Sequence, residues 1–360
     1  MLPVIRIIDR YILAELTKPF FAGIGAFLVV MLSNQLYLYI GWIVEHGLSA
    51  ALVGKLLLLA LPAIAVITLP VGYMMATMLV LGRLSRDSEI TALRATGIGL
   101  GRIILPMLFG ALIVSYMAFE LNERIVPWTN SETVRMQREI LKKTPAPLVK
   151  PNQFFAGTNN RYFYVDQVDK DVLKDVLIFD LSRNGYPKTI TAKKAIWDKT
   201  RWMLYDGMVR ELSEKGYLKY EAKFKRLELS LDLSDNADYF GPKSVQEQSS
   251  GEAFEAIKRL KEQGQNVNGM MVDYHIKFSL PLATFFSSLL AVPLGLRVSR
   301  FGAFIGVAAS IFVIFIWYVL YSFGRSLGAA GTVDPLLAAW NQNIIFGVIG
   351  GALFLGINRK

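Results

Sequence analysis

The chain has 360 residues, 53% of them hydrophobic, a formal net charge of +10 and no cysteine. The missing cysteines exclude a disulfide framework, a thiolate metal site and a cysteine nucleophile. Six windows hold no Lys, Arg, Asp or Glu: 19–44, 56–82, 103–119, 278–296, 301–324 and 335–358. The shortest has 17 residues, near the roughly 20 a helix needs to cross a hydrocarbon core. None sustains the polar stripe of a soluble helix. The fold class expected is therefore a polytopic α-helical membrane protein with six transmembrane helices.

Arg6, Arg10 and Lys18, then Arg83, Arg86, Arg94 and Arg102, then Arg297 and Arg300, then Arg359 and Lys360 cluster at alternate ends of these windows. The opposite short ends hold only Lys55 and Arg325 as cations. The positive-inside rule then puts both termini and residues 83–102 in the cytoplasm and 123–276 outside. The charged start shows no small-residue cleavage site, so it reads as a retained anchor.

In chain order, residues 2–19 carry apolar side chains at Val4, Ile7, Ile8, Tyr11, Ile12 and Leu16, the spacing of an amphipathic helix. It reads as an interfacial anchor or a gate element, with Pro19 turning the chain into the first span. Asn34 and Gln35 lie within that span, where polar groups face protein or a water-filled cavity. Pro62 and Pro70 predict kinks in the second.

Residues 81–97, LGRLSRDSEITALRATG, form a short polar segment between two apolar runs. Asp87 suits a helix cap, Ser88 and Glu89 a first turn, and Gly97 a stop, giving a helix over 87–97. That is three turns, roughly 15 Å. Ile90, Leu93 and Gly97 share one face, with Glu89 on the next. Such a helix inserts into a groove on another protein or rests on the lipid surface, and spacing does not decide between them.

The external stretch changes period. Short β-rich runs at 161–165, 176–180, 189–192 and 202–205 are separated by Asn159-Asn160, Asn184-Gly185 and Asp206-Gly207, read as turns. Tyr220, Ala222 and Phe224 alternate with charge. After a one-residue slip at Lys225-Arg226, so do Leu227, Leu229, Leu231 and Leu233, which suggests a β-bulge. These runs predict an all-β jelly-roll-like or sandwich domain inserted between the third and fourth helices. Ser249 with Glu252 forms a capping box for a connector helix carrying Phe254, Ile257 and Leu260. The expected domains are 1–122, 123–248, the connector 249–272, and 273–360. Gly302, Gly306, Ala309 and Ser310 are read as close-packing residues.

No P-loop, HExxH, CxxC or GxSxG pattern occurs, and no acid lies within the six windows. Glu120 and Glu123, at the outer end of the third span, are read as exposed, and His46 and His275 stand far apart. No catalytic residue, metal site, cofactor or nucleic-acid partner is expected, and any work the protein does draws its energy from elsewhere.

Asp9-Arg10-Tyr11, Leu69-Pro70, Leu81-Gly82-Arg83-Leu84-Ser85 with Asp87-Ser88-Glu89, Pro281, Pro293-Leu294-Gly295, Gly324, Leu327-Gly328, Pro335, Trp340 and Asn343 stand in an order of three spans, β-domain, three spans. Together they resemble the F- and G-type permease subunits of the lipopolysaccharide transport (Lpt) exporter. The resemblance implies a bacterial inner-membrane subunit paired with a paralogue or itself. It also implies a cytoplasmic ABC ATPase dimer that consumes the ATP, periplasmic bridge proteins with jelly-roll domains, and a lipopolysaccharide path between first and fifth spans. It assigns ATPase coupling to Glu89, with Leu84, Arg86, Asp87, Ile90 and Leu93 around it. Lipid-phosphate contacts would fall near the outer end of the first span, where this chain has Asn34 and Gln35, with Lys55 and Arg325 as the nearby cations. A lipoprotein or peptide exporter is the alternative within this class, but its permeases have four spans with the external domain after the first. A glycan-modifying membrane enzyme lacks an acid/base pair here, and a sensor or scaffold without a transport cycle is the remaining alternative.

Overall fold

A computed structural model describes residues 7–46, 49–143, 153–157, 161–169, 172–181, 188–198, 201–212, 217–230, 243–298 and 303–357. Contacts divide the chain into two units, Met1–Thr133 with Ser244–Lys360, and Val134–Lys243. The first unit is helical. Its helices are α1 (Ile7–His46), α2 (Ala50–Arg86), α3 (Glu89–Ala95), α4 (Leu100–Glu120), the start of α5 (Val126–Lys143), α6 (Ser250–Glu262), α7 (Asn268–Val298), α8 (Ala303–Ala329) and α9 (Pro335–Ile357). Among the described residues six helical stretches are long and apolar enough to cross a membrane, matching the six uncharged windows.

The third span runs on through a π-helical turn, Leu121–Ile125, into α5. Residues 123–143, read as the start of the β-domain, are therefore helical, and the first described strand begins at Gln153. At the other terminus Pro19 does not redirect the chain. It lies inside the continuous 40-residue α1. Ile12 and Leu16 are buried against Leu84, Ile103 and Ile104, so the amphipathic segment packs on the bundle. Residues 2–6 of that segment, the cations Arg6, Arg300, Arg359 and Lys360, and Gly302 lie outside the described residues.

α7 is the centre of the bundle and α1 its rim: 67% and 11% of their most apolar windows are buried. α7 packs on α9, α2 and α4 through Ala283, Ser287, Ser288, Ala291 and Gly295. A Cβ on Gly295 would stand 3.2 Å from Leu81 Cβ and Met78 Cα, so glycine sets the α2–α7 approach. Asn343 donates from Nδ2 to the Ser279 carbonyl at 2.6 Å, joining α9 to α7 by a buried polar contact. Ser310 is buried, as a packing role requires, but a Cβ on Gly306 would meet nothing within 4 Å. Gly306 is thus not a packing glycine in this bundle. The Ser249–Glu252 capping box starts α6, and Gly264, at φ +75°, follows its end.

The second unit holds one antiparallel sheet of six strands in sequential order: β1 (Gln153–Gly157), β2 (Arg161–Asp169), β3 (Val172–Asp180), β4 (Lys188–Asp198), β5 (Arg201–Leu212) and β6 (Leu218–Ser230). The inserted β-domain is thus a single-layer meander among the described residues. Leu231 and Leu233, and the turn residues Asn159-Asn160 and Asn184-Gly185, lie outside them. Asp206-Gly207, read as a turn, is inside β5.

The slip at Lys225-Arg226 is one point of a row crossing the sheet. Pairing skips Asp166 opposite Asp175, Asp175 opposite Lys193, Lys193 opposite Asp206, and Asp206 opposite Lys225. Asp175 and Asp206 have positive φ, 50° and 49°. Buried side chains change phase there: Leu173 gives way to Val176 and Ile178, Ile190 and Ala192 to Ala195, Trp202 and Leu204 to Val209. Because each neighbour slips together, the register is the same on both sides of the row and one apolar cluster continues across it. The register shift on the last strand pair lies elsewhere, between Glu211 and Leu212.

Candidate functional site

α2 ends at Arg86, and Asp87 caps it, its N–H bonding the Arg83 carbonyl at 2.9 Å. Asp87 therefore closes α2 instead of opening the next helix. Ser88 turns the chain in the left-handed region at φ 58° and starts α3 without a side-chain cap bond. The segment read as 87–97 is a helix of seven residues, about 10 Å long. Gly97 ends it at φ +84°, with its N–H on the Arg94 carbonyl and the Ile98 N–H on the Leu93 carbonyl.

The apolar face of α3 is turned toward its own bundle. Leu84 is fully buried and Ile90 is 7% exposed, within a cluster that includes Ile12, Leu16, Ile103 and partly buried Leu93. Leu84 and Ile90 pack into the chain's own bundle and anchor α3 there. The face left outward carries Arg86, Asp87, Thr91, Ala92, Arg94 and Ala95.

Glu89 stands at the rim between these faces, its side chain 36% exposed. Tyr11 Oη donates to Glu89 Oε2 at 2.6 Å, and Arg83 Nη2 donates to Tyr11 Oη at 3.2 Å. Arg83 also meets Glu15 at 2.8 Å and lies 3.9 Å from Glu89 Oε1. Arg102 at the start of α4 pairs with Asp9 at 2.5 Å, while Arg86 leans on Asp87 at 3.4 Å. The first turns of α1 are thus clasped to the end of α2, to α3 and to the start of α4 by charge-assisted hydrogen bonds. Tyr11, Glu15 and Arg83 were not picked out as site residues from sequence. The available signal was the conjunction of Asp9-Arg10-Tyr11 with Arg83 among the family-like positions.

The four proposed lipid contacts lie on three helices, Asn34 and Gln35 on α1, Lys55 on α2 and Arg325 on α8. Asn34 and Lys55 are exposed and Gln35 is half-buried. Arg325 is held by Asp273 through two hydrogen bonds, 2.7 and 3.0 Å. Its charge is therefore largely matched within the chain.

At the other end of α4 lies a second polar node. Lys277 of α7 is 4% exposed; its Nζ donates to the Gln248 carbonyl and lies 3.8 Å from Glu123 Oε2. Glu123 accepts from the Ser250 N–H and Oγ, both at 2.8 Å, and Asn122 donates to the Lys277 carbonyl at 3.1 Å. Glu123 is thus a structural acid in the π-helical turn, not an exposed one. Glu120 pairs with Arg124 at 2.7 Å.

Among the described residues no group of three His, Cys, Asp or Glu side chains is placed to hold a metal ion. Six candidate spans among the described residues, a sheet inserted after the third and a short polar helix between second and third define the architecture of a multi-pass membrane protein.

The family model described as lipopolysaccharide export system permease LptF/LptG matches residues 10–356, and the chain belongs to that family. It is 24% identical over 352 residues to the lipopolysaccharide export system permease protein LptF of Escherichia coli (strain K12), covering 94% of this chain and 92% of that protein. The LptF of Shigella flexneri matches with the same identity and coverage. An uncharacterised protein of Rickettsia prowazekii (strain Madrid E) is 20% identical over 349 residues, 92% of each chain. The chain is therefore a permease of a lipopolysaccharide export system, a transport subunit within an Lpt transporter complex.

Proposed function

We propose that α3 is the point at which a separate cytoplasmic ABC ATPase dimer drives this permease, with Glu89 as the carboxylate that meets a basic residue of the ATPase. The observation that carries the reading is the split character of α3: an inner face anchored by Ile90 and an outer face that is exposed, with Glu89 at the rim. A helix anchored on one side and free on the other transmits a push to the spans it is packed against, here α1, α2 and α4. In this reading the termini and α3 are cytoplasmic and the β-domain periplasmic, in the bacterial inner membrane. Two permease subunits pair, a paralogue or a second copy. ATP closure of the partner rocks the bundle and moves lipopolysaccharide outward to jelly-roll bridge proteins. The unevenly buried rim helices α1 and α8, with Phe21, Val29, Phe312 and Phe315 exposed, suit the walls of a lipid path completed by the second subunit.

The test is reconstitution of the full chain with its pairing subunit and ATPase in proteoliposomes, scored by ATP-dependent release of lipopolysaccharide to a soluble acceptor. Glu89→Arg is expected to abolish release while insertion and elution behaviour stay unchanged. Normal release by that variant would overturn the coupling role.

A further inference from the structure

We propose that the cleft between α1, α2, α7 and α8, beside Arg83, holds the phosphate headgroup of an acidic phospholipid. Its position comes from hydropathy alone. Lys18 and Arg83 line it and directly adjoin the uncharged windows 19–44 and 56–82. The cleft therefore straddles the level at which hydrocarbon gives way to headgroups.

Its chemistry is amphipathic. Met78, Leu79 and Val298 contribute apolar wall, and Lys18, Arg83 and Arg86 contribute three cations against the single acid Glu15. The space, ≈ 340 Å³, is many times the roughly 30 Å³ share of one liquid water, so it takes a polyatomic group.

The donors are incompletely used. Arg83 places Nη1 on Glu15 and Nη2 on Tyr11, which leaves a second N–H on each terminal nitrogen, while its Nε is enclosed by protein. Lys18 has no acidic partner among the described residues. A phosphate oxygen supplies the acceptor that a guanidinium N–H prefers, and the ammonium adds a point charge. Gly82 and Gly306 also line the cleft, and a Cβ on either would meet nothing within 4 Å. Their lack of side chain leaves room instead of serving contact.

A headgroup seated there bonds the same guanidinium that holds Tyr11 and stands near Glu89, so lipid composition acts directly on the clasp. The site does not depend on the coupling role of Glu89.

The test uses the full-length protein in nanodiscs of equal phosphatidylglycerol and phosphatidylethanolamine, with co-purified lipid counted by native mass spectrometry. Phosphatidylglycerol is expected in excess by about fivefold, the equivalent of one basic side chain at a membrane surface. Lys18→Gln, at an exposed position that leaves folding intact, and Gly306→Leu, which fills the cleft without changing charge, should each remove that excess. Millimolar inorganic phosphate should not displace the lipid. Equal retention of the two lipids overturns the proposal, as does an excess that both variants keep. Displacement by inorganic phosphate overturns the lipid assignment in favour of a free-anion site.

Discussion

α4 runs between two polar nodes of opposite character. At its start, Tyr11, Glu15, Arg83 and Glu89 meet around side chains that are about a third exposed. At its end, Lys277 is 4% exposed and reaches Glu123 and the Gln248 carbonyl, with Ser250 completing Glu123's bonds. Exposed pairs exchange partners at little cost because water competes for every bond. A buried lysine has no alternative partner, and moving it away from carboxylate and carbonyl strands a charge. The first node therefore suits a docking event that replaces one bond by another, and the second suits a fixed joint between α4, α6 and α7.

The largest expected effect breaks the fixed joint. Lys277→Met should destabilise the full chain by about 3 kcal/mol, since removing one partner of a buried pair leaves the other unmatched. Thermal unfolding in detergent reads this, and a change within noise would remove the distinction between the nodes. Glu123→Gln should cost at least as much, because it keeps an acceptor for Ser250 but leaves the more deeply buried Lys277 without its counter-charge.

The two ends of α8 sharpen the same contrast. A Cβ on Gly324 would come 2.5 Å from the Ala338 carbonyl and 1.8 Å from Asn341 Nδ2, so Gly324→Ala should cost about 2 kcal/mol by overpacking. Gly306→Ala, in open space, should stay within about 0.5 kcal/mol. Equal effects in the same unfolding assay would mean that packing tightness does not distinguish the ends.

At the open node a small effect on stability goes with a change in binding. Tyr11→Phe removes one partly exposed hydrogen bond and should change unfolding by no more than about 1 kcal/mol. It should nevertheless raise ATPase affinity about fivefold, because Glu89 no longer has to exchange a bond of that size. A variant that weakens ATPase binding instead would show that Tyr11 presents Glu89 and does not compete for it.

The spans were legible because lipid tolerates few charges, so uncharged windows trace them directly, and the Ser249–Glu252 cap was legible because its chemistry is local. Glu89 was placed in a short polar helix by spacing, but its role came from the family resemblance. Tyr11 did not stand out, since its partner lies 78 residues away and only packing brings them together. The apolar face of α3 stayed open on spacing because Ile90 and Leu93 form a stripe that fits the chain's own bundle as well as a foreign groove. Lys277, beside an uncharged window, drew no reading of its own; α7 begins nine residues earlier, at Asn268, and carries the lysine inside the bundle. The phase slip at Lys225 was visible on one strand, but the row of slips joining it to Asp206, Lys193 and Asp175 exists only once the strands pair.

The most direct test of the account is the affinity of the purified ATPase for the full-length permease carrying wild-type Glu89, Glu89→Gln or Glu89→Arg, measured by titration in detergent. The expected result is a graded loss, about tenfold for Gln and a hundredfold or more for Arg, in keeping with an interfacial charge pair. Equal affinity of all three would contradict the assignment of Glu89 as the contact through which the ATPase drives transport.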